Sequence, residues 1–216
     1  MTKELEQRVT SALNNDGTSI EEQDEIWELS TPIRLYHPPT FKDSLKVGLI
    51  SRNIAYFMHV DPKESFRSGL LHDIGKIGIP LELLNKFEGW TEEDYEKIKP
   101  HTQIGYDILI SRGLVIPAWV ALTHHCCKKE NPYPEKLPDY PSELKSNGKR
   151  FVANLFSRIV SLADQYDALH RRNDMNGREP LTQEQVRENL INGNPDISYL
   201  INELYKFGIL PDKLLD

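Results

Sequence analysis

Cysteine is almost absent from this chain. The two present, Cys126 and Cys127, are neighbours, which gives neither a disulfide framework nor the CxxC spacing of a thiolate zinc site. Long apolar runs are absent as well. The longest, Leu114 to Leu122, is far too short to cross a bilayer and contains Pro117, so no membrane partner is expected. The N-terminal run MTKELEQRVT is charged and lacks the apolar core of a signal peptide, and a cytoplasmic location is the expectation. Positive charge is in deficit: 26 Lys and Arg stand against 33 Asp and Glu, a net charge of −7. That balance argues against an extended nucleic-acid footprint, which needs clustered basic residues. A small anionic substrate stays open, because bound metal cations can dominate the local field. No stretch alternates apolar and polar residues between hairpin turns. Neither an internal repeat nor a low-complexity tract is visible, and the oligomeric state is not readable.

What is present reads as helix. The 216 residues are enough for one sizeable core, and 38% hydrophobic with 27% charged residues suits a globular chain. Ser19 with Glu22 and Thr182 with Gln185 have capping-box spacing. Asp61-Pro62 and Asn194-Pro195 place a cap before a first-turn proline, and Thr91 precedes three acids that suit a helix dipole. Val47, Ile50, Ile54 and Phe57 step by three or four, as do Leu155, Ile159, Ala163 and Tyr166. The spacing predicts an all-α protein, a compact bundle of about seven to nine helices. Cys126 to Gly148, with Pro132, Pro134, Pro138 and Pro141, reads as a long loop, and loops of that length are often functional lids.

Several residues on these helices can do chemistry. On a helical wheel from Phe66 to Ile77, Phe66, Leu70, Ile74 and Ile77 share one side, with His72, Asp73 and Lys76 opposite. A polar side is ordinarily a solvated face. This one also carries Ser65, Ser68 and Gly69, small residues that let another element pack close and enclose His72 and Asp73. An enclosed carboxylate needs a cation or several donors. Asp164 sits in the apolar run IVSLADQYDAL, where a buried salt bridge and a metal ligand are equally good readings. His124-His125 ends an apolar helix and reads alone as a satisfied core pair; His101, opening a helix after Pro100, reads alone as a surface residue. Taken together, four His and two Asp without thiolate form a mixed nitrogen and oxygen set of the kind that suits iron, manganese or zinc.

These residues, in this order, resemble the HD-domain superfamily of metal-dependent phosphohydrolases, and within it the HD-GYP branch. The matching segments are LLHDIGKIGIP (Leu70 to Pro80), LLNKFEGWTEEDYEKIKPHTQIGYDIL (Leu83 to Leu109), THH (Thr123 to His125) and RIVSLADQYDAL (Arg158 to Leu169). The resemblance runs from about Phe41 onward, which divides the chain into a helical extension, 1–36, and an HD domain, 37–216. It implies two divalent transition-metal ions, Fe, Mn or Zn. His72, Asp73 and Asp164 would hold one; Asp73, His101, His124 and His125 would hold the other, with Asp73 bridging. Lys76 would face the substrate phosphate. Two positions depart from the branch. Asp43 in DSLKV stands where a histidine ligand is usual and is taken as a substituted ligand; its other reading is a helix-start carboxylate interacting with the dipole. The acid that the branch uses one turn earlier for a third metal falls near Pro39. The Gly-Tyr-Pro loop is degenerate: CCKKENPYP keeps Tyr133 and Pro134 but not the glycines, and glycine permits close backbone approach to a ligand. That change argues against cyclic di-GMP as the substrate.

The function expected is hydrolysis of a phosphomonoester or phosphodiester, of nucleotide type, by a metal-bridging hydroxide. Asp73 and Lys76 are the catalytic residues, and Lys76, Arg171 and Arg172 the substrate contacts, with Lys128 and Lys129 as further phosphate candidates or solvated charge. The alternative is a non-catalytic sensor or interaction domain that keeps the fold.

Overall fold

The computed structural model describes residues 2–175 and 181–210, without the side chains of 2 and 171–175. Among the described residues there is no strand, as the all-α expectation requires. The helices are α1 (Thr2–Asn15), α2 (Ile20–Tyr36), α3 (Pro38–Phe57), α4 (Pro62–Leu71), α5 (Leu81–Leu84), α6 (Glu92–Ile98), α7 (His101–Ser111), α8 (Val115–Thr123), α9 (Asn147–Met175), α10 (Gln183–Gly193) and α11 (Ser198–Lys206). The surplus over the expected number comes from short pieces such as α5 and α6, too short for a sequence period to register. No helix among the described residues is long and apolar enough to cross a membrane.

The caps act as their sequences predict. Ser19, Thr91 and Thr182 each form a reciprocal capping box, with Glu22, Asp94 and Gln185, and Asp61 accepts from the Lys63 and Glu64 amides at the head of α4. Asn194-Pro195 differs: it opens a single 3-10 turn, Pro195–Ile197, and α11 starts only at Ser198. The proline-rich loop ends at Ser146, because α9 already includes Asn147 and Gly148.

The helix α3 is the centre of the molecule and is buried on two sides. Phe41, Leu45 and Leu49 join Leu5, Val9, Leu13, Ile26 and Ile33 of α1 and α2 in one cluster. Val47, Ile50 and Ile54 join Ile159, Val160, Ala163 and Tyr166 of α9 in another. Burying each such side chain favours folding by about 1.5–3 kcal/mol, so α3 is held by both halves of the core.

Two glycines determine where the chemistry sits. A Cβ on Gly69 would lie 2.9 Å from Ser51 Oγ and 3.0 Å from Gly48 Cα. Ser65 Oγ donates to the Ser51 carbonyl across the same seam, 3.0 Å. The small face of α4 therefore packs on α3, as its serines and glycine predict, and draws the end of α4 into the bundle. A Cβ on Gly75 would lie 1.9 Å from the His101 carbonyl oxygen and 2.4 Å from the Gly105 nitrogen. The chain at Gly75 thus lies against the first turn of α7, and no other residue fits there. This contact corrects the single-helix reading of Phe66 to Ile77. The α-helix ends with His72 as its C-cap, and Ile74–Gly78 tightens into a 3-10 turn that follows Asp73.

Candidate functional site

The break between α4 and the 3-10 turn sets Asp73 where four helices converge. His72 ends α4, His101 opens α7, His124 caps the C-terminus of α8 with His125 after it, and Asp164 reaches in from α9. His72, Asp73, His101, His124 and His125 are all buried. The His72 Nε2 lies 3.3 Å from Asp73 Oδ2 and 3.9 Å from Asp164 Oδ1. The Nε2 atoms of His101 and His124 lie 3.4 and 3.9 Å from Asp73 Oδ1. Asp73 Oδ2 therefore faces His72, and Oδ1 faces His101 and His124.

The second nitrogen of each ring shows what these groups are prepared for. The Nδ1 of His72 meets the Gly69 carbonyl at 2.7 Å, that of His101 the Ile98 carbonyl at 2.6 Å, and that of His124 the Ala121 carbonyl at 2.9 Å. A carbonyl only accepts, so Nδ1 carries the proton in each ring, and in the neutral ring Nε2 presents a lone pair. Lone pairs of His101 and His124 then aim at an oxygen that also has only lone pairs. His72 Nε2, Asp73 Oδ1, His101 Nε2, His124 Nε2 and His125 Nδ1 are buried and make no hydrogen bond. Each such atom costs about 1–3 kcal/mol when nothing satisfies it. Bound cations would satisfy them, and fixing the remote ring nitrogen on a backbone carbonyl is how metal-binding histidines are oriented. One ligand atom from each of His72, Asp73 and His124 falls within 4.8 Å of the others, and the same holds for His101, His124 and His125. These two groups share His124, and each could hold a metal ion.

Electrostatics agree with the geometry. Burial alone would raise Asp73, but His72 and Lys76 hold its carboxyl well below the usual carboxylate range. Asp164 is lowered too, with His72 and Lys128 prevailing over burial. Burial opposes charge on His72, yet Asp73 and Asp164 outweigh it and its pKa is raised. Burial pushes His101 down to about 4 and carries His124 and His125 well down as well. Neutral imidazoles at His101, His124 and His125 beside ionised Asp73 and Asp164 are in the protonation states a metal requires, whereas His72, held charged by those two carboxylates, would have to lose a proton to bind one.

Lys76 Nζ donates to Asp73 Oδ2 at 2.5 Å and is partly exposed, so it stands at the mouth of the site. Tyr133 forms a wall. Its ring lies 4.4 Å from that of His125 and 6.1 Å from that of His101, and the Lys128 ammonium sits 5.9 Å from the Tyr133 centroid. Lys129 is exposed. Burial pushes the Cys126 thiol up to about 11, as expected of an inert neighbour. Arg171 and Arg172 have their side chains outside the described residues. Asp43 is half-buried on the second turn of α3, too far along the helix for a first-turn dipole partner, and its charge acts on His37. It belongs to neither group of close ligand atoms. Sequence reasoning passes over His37 altogether. Its one signal is the pair of prolines after it, which mark a helix start.

A family model described as HD domain matches residues 40–169. The chain is 36% identical over 155 residues to a cyclic di-GMP phosphodiesterase of Thermotoga maritima, covering 69% of this chain and 39% of that one. It is 29% identical over 172 residues to 3'3'-cGAMP-specific phosphodiesterase 2 of Vibrio cholerae, covering 77% and 30%. The matched region is well under half the length of either relative. The HD domain of the L. monocytogenes phosphodiesterase PgpH, solved in complex with cyclic-di-AMP, shares the fold, with a TM-score of 0.55 over 86% of each chain at 20% identity.

Proposed function

The chain belongs to the HD-domain family, and on that premise we propose that it is a metal-dependent phosphohydrolase acting on a phosphodiester or phosphomonoester of nucleotide type. The observation that carries this reading is the cluster of four buried imidazole nitrogens with Asp73 Oδ1, none of the five atoms having a hydrogen-bond partner. His72, Asp73 and Asp164 would hold one ion; Asp73, His101, His124 and His125 the other; Asp43, outside both groups of close ligand atoms, would be a further ligand on the His72 side. When bound, the two ions supply Lewis-acid polarisation of the phosphoryl oxygens and a hydroxide nucleophile from water.

The remaining work falls to side chains. Asp73 would offer its carboxylate to both groups of ligands. Lys76, tethered to Asp73 Oδ2, brings a fixed positive charge to the oxygen on which charge develops as phosphorus is attacked. Tyr133 and Lys128 close the His101–His125 side against water. Residues 1–36 we take as an extension that braces α3, and 37–216 as the catalytic unit. The Thermotoga and Vibrio relatives act on cyclic dinucleotides, which makes that substrate class the first to try. Our reading of the CCKKENPYP loop, without the glycines that permit close approach, is that cyclic di-GMP is turned over less well than a simple diester. A competing reading, a sensor that binds but does not turn over, draws on that same loop and on Asp43. Mn²⁺-loaded protein offered bis(p-nitrophenyl) phosphate, cyclic di-GMP and 3'3'-cGAMP separates the two. Hydrolysis of any of them supports the enzyme; binding without hydrolysis supports the sensor.

A further inference from the structure

The helices α8 and α9 bring ligands to the site from two directions: His124 and His125 follow α8, and Asp164 stands on α9. Apolar contacts join the two helices on both flanks. Val120 packs with Ile159 and Val160 on one, and Trp119 and Leu122 with Ala153 on the other. Such contacts are non-directional, so they hold the helices together without fixing how far one has slid along the other. Between the flanks runs a polar seam. The Trp119 Nε1–H donates to Asn154 Oδ1 at 2.9 Å, and one turn further along each helix the Thr123 and Ser157 hydroxyls meet at 2.7 Å. Both hydroxyl residues are buried. On α9 the face of Asn154 and Ser157 continues through Ser161 to Asp164, at spacings of three and four. Ser157 is thus two turns, about 10 Å, from Asp164, and Thr123 is the residue before His124.

The protons decide what this contact is. Thr123 Oγ1 also lies 2.6 Å from the Trp119 carbonyl, and Ser157 Oγ 3.0 Å from the Ala153 carbonyl. A carbonyl only accepts and each hydroxyl has one proton, so two protons serve three contacts. The shorter carbonyl distance gives the Thr123 proton to Trp119, and Ser157 then donates across the seam to Thr123. Without its partner each hydroxyl is still satisfied by a carbonyl of its own helix, so burial alone does not demand the bond between helices. What that bond adds is register. We propose that Thr123 and Ser157 are positioning residues whose hydroxyl pair sets Asp164 of α9 against the His124 and His125 ligands at the end of α8. This rests on the metal assignment of the phosphohydrolase reading and adds to it the link that keeps the ligands of one helix in step with those of the other.

The test is a Mn²⁺ titration of the full chain after chelator treatment, with Asp164→Asn marking the step to which Asp164 contributes. Thr123→Val and Ser157→Ala each remove the link and orphan no polar atom. Each should weaken that step about tenfold, the low end of what an outer partner of a metal ligand contributes, and leave the other step as in wild type. The double variant should bind as either single variant does, because one link can be lost only once. Thr123→Ser, which keeps the hydroxyl, should bind as wild type. The melting temperature of each metal-free variant should fall by no more than about 4 °C, the shift for one ordinary hydrogen bond in a chain of this size. Wild-type affinity in both single variants overturns the inference and leaves the phosphohydrolase reading standing. So does a double variant that shows both losses added together, or Thr123→Ser binding as weakly as Thr123→Val. A larger fall in melting temperature with equal weakening of both steps would make the bond a general brace and also overturn it. If the wild-type protein takes up no Mn²⁺, the phosphohydrolase reading falls and this inference with it.

Discussion

Two buried carboxylates in this molecule are treated in opposite ways. Asp16, in the turn after α1, is satisfied by the protein itself: Arg52 approaches it with Nε at 2.5 Å and Nη2 at 2.6 Å, and the Tyr56 hydroxyl donates to it as well. Asp73 receives one close donor, Lys76, on Oδ2. Its Oδ1 is buried among imidazole nitrogens that aim lone pairs at it and has no hydrogen bond. The first is a complete structural bridge between α1 and α3. The second is left incomplete by the protein's own groups. A buried carboxylate is therefore informative through what surrounds it, and the tautomers fixed by distant backbone carbonyls separate the two cases.

The contrast is broken most severely at Asp73. Asp73→Ala should cut turnover by more than roughly a hundredfold, beyond what loss of an outer-sphere partner of a metal ligand costs, and should loosen both ions. Near-normal turnover of any confirmed substrate by this variant would remove Asp73 from the mechanism. Next in size is Asp16→Ala, which strips Arg52 of its partner. Chemical denaturation should show a loss of about 2 kcal/mol, while metal titration should match wild type. Lost metal binding with intact stability would mean that the roles of the two carboxylates had been exchanged.

His101→Ala should weaken one ion and spare the other, giving a titration with one tight and one weak step. A uniform loss of both would argue against two distinct positions. The metal-free protein should also reveal its buried neutral imidazoles through pH. His101, His124 and His125 have folded-state pKa values depressed by burial, His101 to about 4. The unfolded chain takes up protons first as pH falls below about 6.5. Their contribution is thus fully present above that value and is lost progressively down towards pH 4. His72, raised by Asp73 and Asp164, acts in the opposite sense and only in part offsets the three. The melting temperature of the chelator-treated protein should fall between pH 7 and pH 5; a rise would contradict the assigned burial. The smallest effect is expected from Asp43→Ala, a modest loss of affinity for one ion, and equal affinity to wild type would exclude Asp43 as a ligand.

Much of the fold and of the Asp73 cluster is legible in the amino-acid sequence, and for physical reasons. Ser65, Ser68 and Gly69 announce a close helix partner, and the Gly48–Gly69 seam is that partner. The caps, which act over three residues, are readable from spacing alone. What the sequence hides depends on tertiary contact. The end of α4 at His72 is imposed by Gly75 lying on the first turn of α7, a contact 26 positions away in sequence from the His101 that it accommodates, and no local period encodes it. The setting of His37 is invisible for the same reason: its cap on Thr40 is local, but the Tyr36–Ile79 bond next to it forms only when α2 docks.

The central claim, that the cluster at Asp73 is built to hold metal, is tested most directly by counting ions. Elemental analysis of the protein saturated with Mn²⁺ or Fe²⁺ and freed of excess should give close to two ions per chain, and close to none in Asp73→Ala. A saturated wild-type protein with no bound ion would contradict the account.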